Sequence, residues 1–157
     1  MGSLGFWRRA MADPGRIAAI EPDGTSHTAG DLLARVNQLT HGLRAQGLQA
    51  GDGVAVLAPN GIAPLEVYLA ALQAGWYVTP INWHFTVPEI AYIVRDSEAK
   101  AFVVHERFGP AGARAAEEYH PAVQRDAPGD HGAQAEQRGQ VEDVRADDDA
   151  GADLALV

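Results

Sequence analysis

The chain has 157 residues, a net charge of −9 and no cysteine. This length suits one domain, and the lack of cysteine excludes disulfides, thiolate metal sites and thiol catalysis. The negative charge argues against a nucleic-acid partner, no apolar stretch approaches the ~20 residues of a membrane span, and the N-terminus lacks a signal-peptide pattern, so we expect a cytoplasmic protein.

The first predicted elements are a short helix, a hairpin and a longer helix. The short helix covers residues 3–12 and ends at an Asp-Pro-Gly sequence. Strands at 16–20 and 25–27 flank Asp23-Gly24, a dipeptide typical of hairpin turns. Thr28 is placed to cap a helix that runs to about residue 46, with an apolar stripe along one side. Gly47 follows at a position that favours a left-handed residue.

Three strands then alternate with two helices. The apolar run 54–57 predicts a strand buried on both faces. A helix at 63–74, a strand at 77–79, a loop at 80–85, a helix capped by Thr86 and Glu89, and a strand at 100–104 follow. Strands that alternate with helices pair in parallel through right-handed crossovers. We predict a partial α/β layered domain whose mostly parallel sheet has strand 54–57 at its centre and the hairpin at its periphery.

The composition changes near residue 107. Large apolar residues make up 36 of the first 106 positions but only 8 of the last 51. A segment so poor in apolar side chains cannot bury enough surface to offset the entropy of ordering it. We predict a folded unit over 1–106 and a low-complexity acidic tail rich in Ala, Gly and Asp over 107–157. Disorder is expected from about residue 109, with at most a transient helix at 111–119.

Several stretches of the first hundred residues resemble a known family. They read IAAIEPDGT from residue 17, RVNQLTHGLRAQG from 35, GDGVAVLAPN from 51, AALQAGWYVTPIN from 70 and EIAYIVRDSEAK from 89. In this order they resemble the start of an adenylate-forming enzyme, and most of all the N-terminal part of fatty-acyl-CoA synthetases. The resemblance covers residues 3–106. Gly53 departs from it, since the family more often has a larger residue there.

The resemblance implies a two-step activation of a fatty acid. The carboxylate attacks ATP to form an acyl-adenylate, with magnesium, and the thiol of coenzyme A then displaces AMP. The family's phosphate loop and catalytic residues lie downstream of the matched segment. Here Lys100 is the only lysine, and none of the three serines stands in a glycine-rich loop. We therefore assign no catalytic, cofactor-binding or metal-binding residue, and we expect the chain to be inactive alone and to need no cofactor itself.

Two origins of the tail stay open. A shift of the reading frame near residue 107 in a GC-rich gene would produce this composition. Natural truncation followed by a disordered extension would produce it as well. Both predict that residues 107–157 depart from the family pattern.

Other candidate sites have simpler interpretations. Glycines 47, 51 and 53 follow a helix and precede a strand, which is the reverse of a phosphate loop, and Asp52 would repel phosphate. Ser97 lacks any nucleophile motif. A run of three aspartates at 147–149 lacks the glycine and distal glutamate of a calcium loop. The histidines have no metal-binding spacing on one helix; they stand at 27, 41, 84, 105, 120 and 131.

The loop Trp83-His84-Phe85 follows a strand, where α/β folds place ligand contacts. We favour the interpretation that Trp83 and Phe85 pack against the rest of the family domain. We also expect an exposed apolar face, including some of Trp76, Trp83 and Phe85, through which the chain associates with itself. The alternative to an inactive ligase fragment is a small interaction module, or a partner of a separately encoded catalytic remainder. A self-sufficient nucleotide-binding domain is disfavoured, because no phosphate loop follows a strand.

Overall fold

A computed structural model describes residues 5–119 and 154–156. The elements in chain order are α1 (Phe6–Ala12), β1 (Ile17–Ile20), β2 (Ser26–Thr28), α2 (Ala29–Ala45), β3 (Gly53–Leu57), α3 (Ile62–Ala74), β4 (Tyr77–Ile81), α4 (Val87–Asp96), β5 (Ala99–His105), α5 (Gly109–Tyr119) and β6 (Leu154–Leu156). A single 3₁₀ turn, Glu106–Phe108, precedes α5. No helix within these described residues is long and apolar enough to cross a membrane.

The sheet has the predicted parallel core. Its strand order is β4-β3-β5-β6, with β3 parallel to both β4 and β5, and β6 antiparallel to β5. The β1-β2 hairpin forms a separate two-stranded sheet. The predicted α/β fold, with strand 54–57 inside the sheet and a peripheral hairpin, is therefore confirmed. One boundary differs, because β4 continues through Pro80 and Ile81, which were expected in a loop.

Alternate residues of β3 supply two cores. Val54 and Val56 face a cluster formed with α2 and α3, whereas Ala55 and Leu57 face a cluster formed with α4, α5 and β5. This double burial is the reason for the uninterrupted apolar run. Gly53 also has a structural reason, since a β-carbon there would lie 3.3 Å from Ala99 Cα. The close approach of β5 therefore favours glycine at the start of β3.

The predicted helix caps are present. The Thr28 hydroxyl oxygen accepts a hydrogen bond from the Asp31 backbone N–H at 3.1 Å. The Glu89 carboxylate accepts one from the Thr86 backbone N–H at 2.8 Å, which completes a capping box. Gly75 ends α3 with φ of 79°, in the left-handed region that favours glycine.

The prediction of disorder from residue 109 is wrong for residues 109–119. Helix α5 packs on β5, where Ala115 is fully buried. A β-carbon at Gly112 would come within 2.7 Å of Val104 Cγ2. Small residues thus let the helix approach the sheet closely, although few large apolar side chains are present. The predicted disorder of residues 120–153 falls outside the described residues, whereas residues 154–156 form β6.

Candidate functional site

A cavity of about 850 Å³ opens where β3 and β4 end. The carboxyl edge of a parallel sheet is the usual position of ligand sites in α/β folds. The described residues that line the cavity are Val56, Ala58, Asn60, Gly61, Pro64, Leu65, Tyr68, Pro80, Ile81, Asn82, Trp83 and His84. They include no carboxylate, lysine, serine or threonine. This lining can surround an apolar or planar group and offer it a few hydrogen bonds.

Asn82 shapes the loop at the mouth of the cavity. Its side-chain oxygen accepts a hydrogen bond from the His84 backbone N–H at 3.0 Å. Its carbonyl oxygen accepts another from the Phe85 backbone N–H, also at 3.0 Å. The turn places the rings of Trp83 and His84 against each other, with centroids 3.5 Å apart.

Trp83 packs against a residue that the sequence analysis had assigned to the tail. The rings of Trp83 and Phe108 stack with centroids 5.8 Å apart and an interplanar angle of 20°. The Arg107 guanidinium lies 5.9 Å from the centre of the Trp83 ring. Trp83 is thus half-buried against this chain's own residues, while Phe85 is exposed. Trp76, which was considered for the exposed face, is instead 7% exposed and belongs to the core.

The N-terminus of α3 borders the cavity and is already neutralised. The Glu21 carboxylate accepts a hydrogen bond from the Ile62 backbone N–H at 2.8 Å. Its oxygens also lie 3.0–3.3 Å from where a β-carbon would stand on Gly61. Helix N-termini attract anions, and at this one the anion is Glu21. A phosphate group at this helix N-terminus would therefore be repelled by the Glu21 carboxylate, which already occupies the position.

A match to a family model decides the family. The model described as "AMP-binding enzyme" matches residues 6–156 of this chain. The chain belongs to the AMP-binding enzyme family. The match continues beyond residue 106, where the sequence analysis had ended the resemblance, and includes β6.

Relatives of this chain are named as synthases and ligases that act on carboxylic acids. A feruloyl-CoA synthase from Amycolatopsis sp. is 41% identical over 102 residues, which is 64% of this chain and 21% of the relative. The long-chain-fatty-acid–CoA ligase FadD13 of Mycobacterium tuberculosis is 31% identical over 61% of this chain and 19% of its own length. The N-terminal domain of FACL13 from M. tuberculosis has a TM-score of 0.62 and 29% identity over 68% of this chain and 27% of that structure. The chain therefore spans about a fifth of these curated relatives.

The remaining candidate residues of the chain do not converge on a site within the described residues. Gly47 and Gly51 have positive φ in turns before β3, at the edge of the sheet opposite the cavity. The Ser97 hydroxyl donates to the Val94 carbonyl at the end of α4. No group of three or more histidine or acidic side chains within residues 5–119 and 154–156 could hold a metal ion. His120, His131 and the aspartates at 147–149 lie outside the described residues.

Sequence reasoning missed two residues of this region, Glu21 and Phe108. Glu21 stands 41 residues before its hydrogen-bond partner Ile62, and no local pattern links them. Phe108 stands in a segment whose composition predicted no packing. An aromatic residue just beyond the last predicted strand was the only available signal.

Proposed function

We propose that this chain is the N-terminal part of an AMP-forming acyl-CoA ligase, which activates a carboxylic acid through an acyl-adenylate. The likeness of its sheet and helices to the N-terminal domain of FACL13 carries this proposal. The relatives named as feruloyl-CoA synthase and fatty-acid ligase support an aromatic or aliphatic acid as substrate. ATP, magnesium and coenzyme A would serve the complete enzyme.

Two observations support the proposal that this chain does not itself hold magnesium-bound ATP. Glu21 occupies the helix N-terminus beside the cavity. Lys100 lies 3.6 Å from Asp52 at the amino ends of β3 and β5, at the edge of the sheet opposite the cavity. We therefore propose that this chain provides packing framework, and that the groups acting on ATP come from the remaining four-fifths of a complete ligase.

Activity of the isolated chain tests this division. Loss of one preorganised electrostatic contact typically lowers a rate ~10²–10³-fold. A chain that lacks the phosphate loop and catalytic residues of the complete ligase should therefore show no turnover above the blank. The measurement is pyrophosphate release from ATP by the purified chain, with ferulic, benzoic and long-chain fatty acids, with and without coenzyme A. The full-length Amycolatopsis feruloyl-CoA synthase is the positive control. Acid-dependent turnover by the 157-residue chain would contradict the proposal.

A second proposed function is association through the open edge of the sheet at β4, supported by exposed apolar side chains on β4 and on α3, the helix that precedes it. Tyr77 and Leu72 are 72% and 73% exposed, and Tyr68 lies on the same helix. The Tyr77 backbone N–H donates to the Asp52 carbonyl, which lies just before β3. Successive backbone N–H groups of a strand point in opposite directions, so the Val78 N–H points away from β3. Pro80 has no N–H to offer. This edge supports pairing with a second copy or with a separately encoded remainder of the ligase.

Sedimentation equilibrium tests this association. We expect the chain to associate with concentration, and the double variant Leu72→Lys/Tyr77→Lys to associate at least ~10-fold more weakly, because burial of one such side chain contributes about 1.5–3 kcal/mol. Tyr92→Lys, a change of an exposed residue on α4, is the matched control. A chain that stays monomeric at all concentrations, alone and with the complementary fragment of a relative, would refute this function.

A further inference from the structure

The outer edge of β4 is open within the part of the chain that the structure describes. There, β4 pairs with β3 and with no other described strand. Edge strands usually carry charged side chains, which hinder pairing with another chain. The sequence of β4 reads YVTPI from residue 77 and has no charged residue. Pro80 is the one feature of β4 that hinders such pairing.

Val78 carries the complete set of hydrogen-bonding groups at this edge. The N–H and C=O of successive residues in a strand point alternately to one edge and to the other. The Tyr77 N–H points toward β3, because it donates to the Asp52 carbonyl at 2.9 Å. The groups of β4 that point away from β3 therefore belong to Val78 and Pro80, and proline has no N–H. Val78 is thus the residue of β4 that offers both a donor and an acceptor at the open edge.

A second copy of the chain complements these groups. Most dimers of identical chains are related by a twofold axis. If this axis is normal to the sheet, the two β4 strands run antiparallel. When Val78 lies opposite Val78 of the other copy, the two residues exchange both N–H···O=C hydrogen bonds. Tyr77 of each copy then lies opposite Thr79 of the other, and an aromatic residue opposite a β-branched one is a favourable cross-strand pair.

Pro80 selects this register over the next one. A shift that brought Thr79 opposite itself would place Pro80 opposite Val78, where the proline ring would replace a donor to the Val78 carbonyl. With Val78 at the centre, Pro80 lies opposite Trp76, which precedes the strand. The paired stretch therefore runs from Tyr77 to Thr79 and leaves the proline at its end.

We propose that two copies of the chain pair through β4 in antiparallel register, with Val78 opposite Val78. This inference rests on the second proposed function, which left the partner at the β4 edge open. Each copy has a net charge of −9, but the paired stretch has no charged residue, so the strands meet without like charges in contact. Helix α3 packs on the same face of the sheet as Val78, and its Leu72 is 73% exposed, which adds apolar surface beside the strands.

The area of this contact makes the pair weak. One aromatic side chain buries about 150–250 Å², and Tyr77 is the one aromatic residue of β4. Two short strands with one tyrosine each remain below the ~1,200 Å² of standard protein–protein interfaces. The pair therefore forms only as the concentration of the chain rises.

Crosslinking of single cysteines tests the register, because the chain has no cysteine of its own. Val78→Cys and its matched control Thr79→Cys change two half-buried residues of β4. Each variant is oxidised at concentrations at which sedimentation equilibrium shows association. Cα atoms of a hydrogen-bonded antiparallel pair lie about 5.5 Å apart, within the range that disulfides span. We expect Val78→Cys to form a covalent dimer at least ~10-fold faster than Thr79→Cys, whose two cysteines are offset by about 7 Å along the strands.

A backbone variant tests the hydrogen bonds themselves. Val78→Pro removes the N–H that points away from β3, and it should weaken association about 10-fold or more, as expected for the loss of two hydrogen bonds. Val78→Ala keeps the N–H and should associate within a few-fold of the unmodified chain. Circular dichroism checks that both variants keep the fold.

The outcomes separate this proposal from the second proposed function. Crosslinking of Thr79→Cys as fast as Val78→Cys, or equal association of Val78→Pro and Val78→Ala, would overturn the proposal. Association without a crosslink in either cysteine variant, or association only with the complementary fragment of a relative, would overturn it and leave the second proposed function standing. A chain that stays monomeric both alone and with that fragment would refute both.

Discussion

The two sides of the parallel sheet differ in how they are covered. Here one side means the edge where β5 lies, and the other means the edge formed by β4. On one side, β5 pairs with β6 and lies under α5, and its residues from Ala101 to Val104 are all buried. On the other side, β4 pairs with β3 alone among the described residues, and Tyr77 is 72% exposed. The covered side is closed by a segment whose composition predicted disorder. Close fit by small residues, and not the average apolar content, therefore decides whether such a segment packs.

The largest expected difference between the two sides is in the free energy of unfolding that is lost when an aromatic side chain is truncated to alanine. Phe102→Ala removes a ring that is 3% exposed on β5 and should lower the free energy of unfolding by about 3–5 kcal/mol. Tyr77→Ala on β4 should change it by less than about 0.5 kcal/mol, because the ring is mostly in solvent. Urea denaturation of both variants measures this. Similar losses would mean that the β4 side is covered in solution.

A smaller effect distinguishes two glycines of α5. Gly112→Ala should destabilise the chain by about 1–3 kcal/mol, because the added methyl group would overlap Val104. Gly109→Ala is the control, since nothing lies within 4 Å of the added carbon and the backbone there is helical. Hydrogen exchange of the α5 amides should rise in the first variant alone. Unchanged exchange in Gly112→Ala would show that α5 does not dock on β5 as described.

The smallest effect concerns the cap of α4, which lies beside α5. Hydrogen bonds from the Thr86 side chain and then from its backbone N–H lower the pKa of Glu89 below its ordinary value of 4.5. The ionised carboxylate therefore stabilises the folded state above pH 4.5, and this contribution is lost as pH falls through the lowered pKa. We expect Glu89→Gln to melt at a lower temperature at neutral pH and to approach the unmodified chain in acid.

Two changes at Thr86 complete this test. Thr86→Val removes the hydroxyl and should reduce the acid dependence, while Thr86→Ser keeps a donor and should preserve it. Thermal unfolding from neutral pH to below pH 4.5 gives all four curves. A constant gap between Glu89→Gln and the unmodified chain would contradict the assigned cause.

Much of the candidate site depended on contacts that no local pattern records. The loop Trp83-His84-Phe85 was singled out because it follows a strand, and the cavity lies there. Its neighbours were not predictable, since Glu21 reaches α3 across 41 residues and Phe108 reaches Trp83 across 25. Such pairs form only once the strands have set the distances between distant segments.

By itself, the sequence determined the elements from α1 to β5, their order and the family. Caps such as Thr28 and Thr86, the stop at Gly75 and the apolar run of β3 act within a few residues, so their spacing can be read directly. Tertiary structure alone decided which side of the sheet is covered, why glycine stands at 53 and 112, and that Trp7 donates to Gln73 across 66 positions. These features depend on how closely segments far apart in the chain approach each other, and that distance is a property of the packed fold.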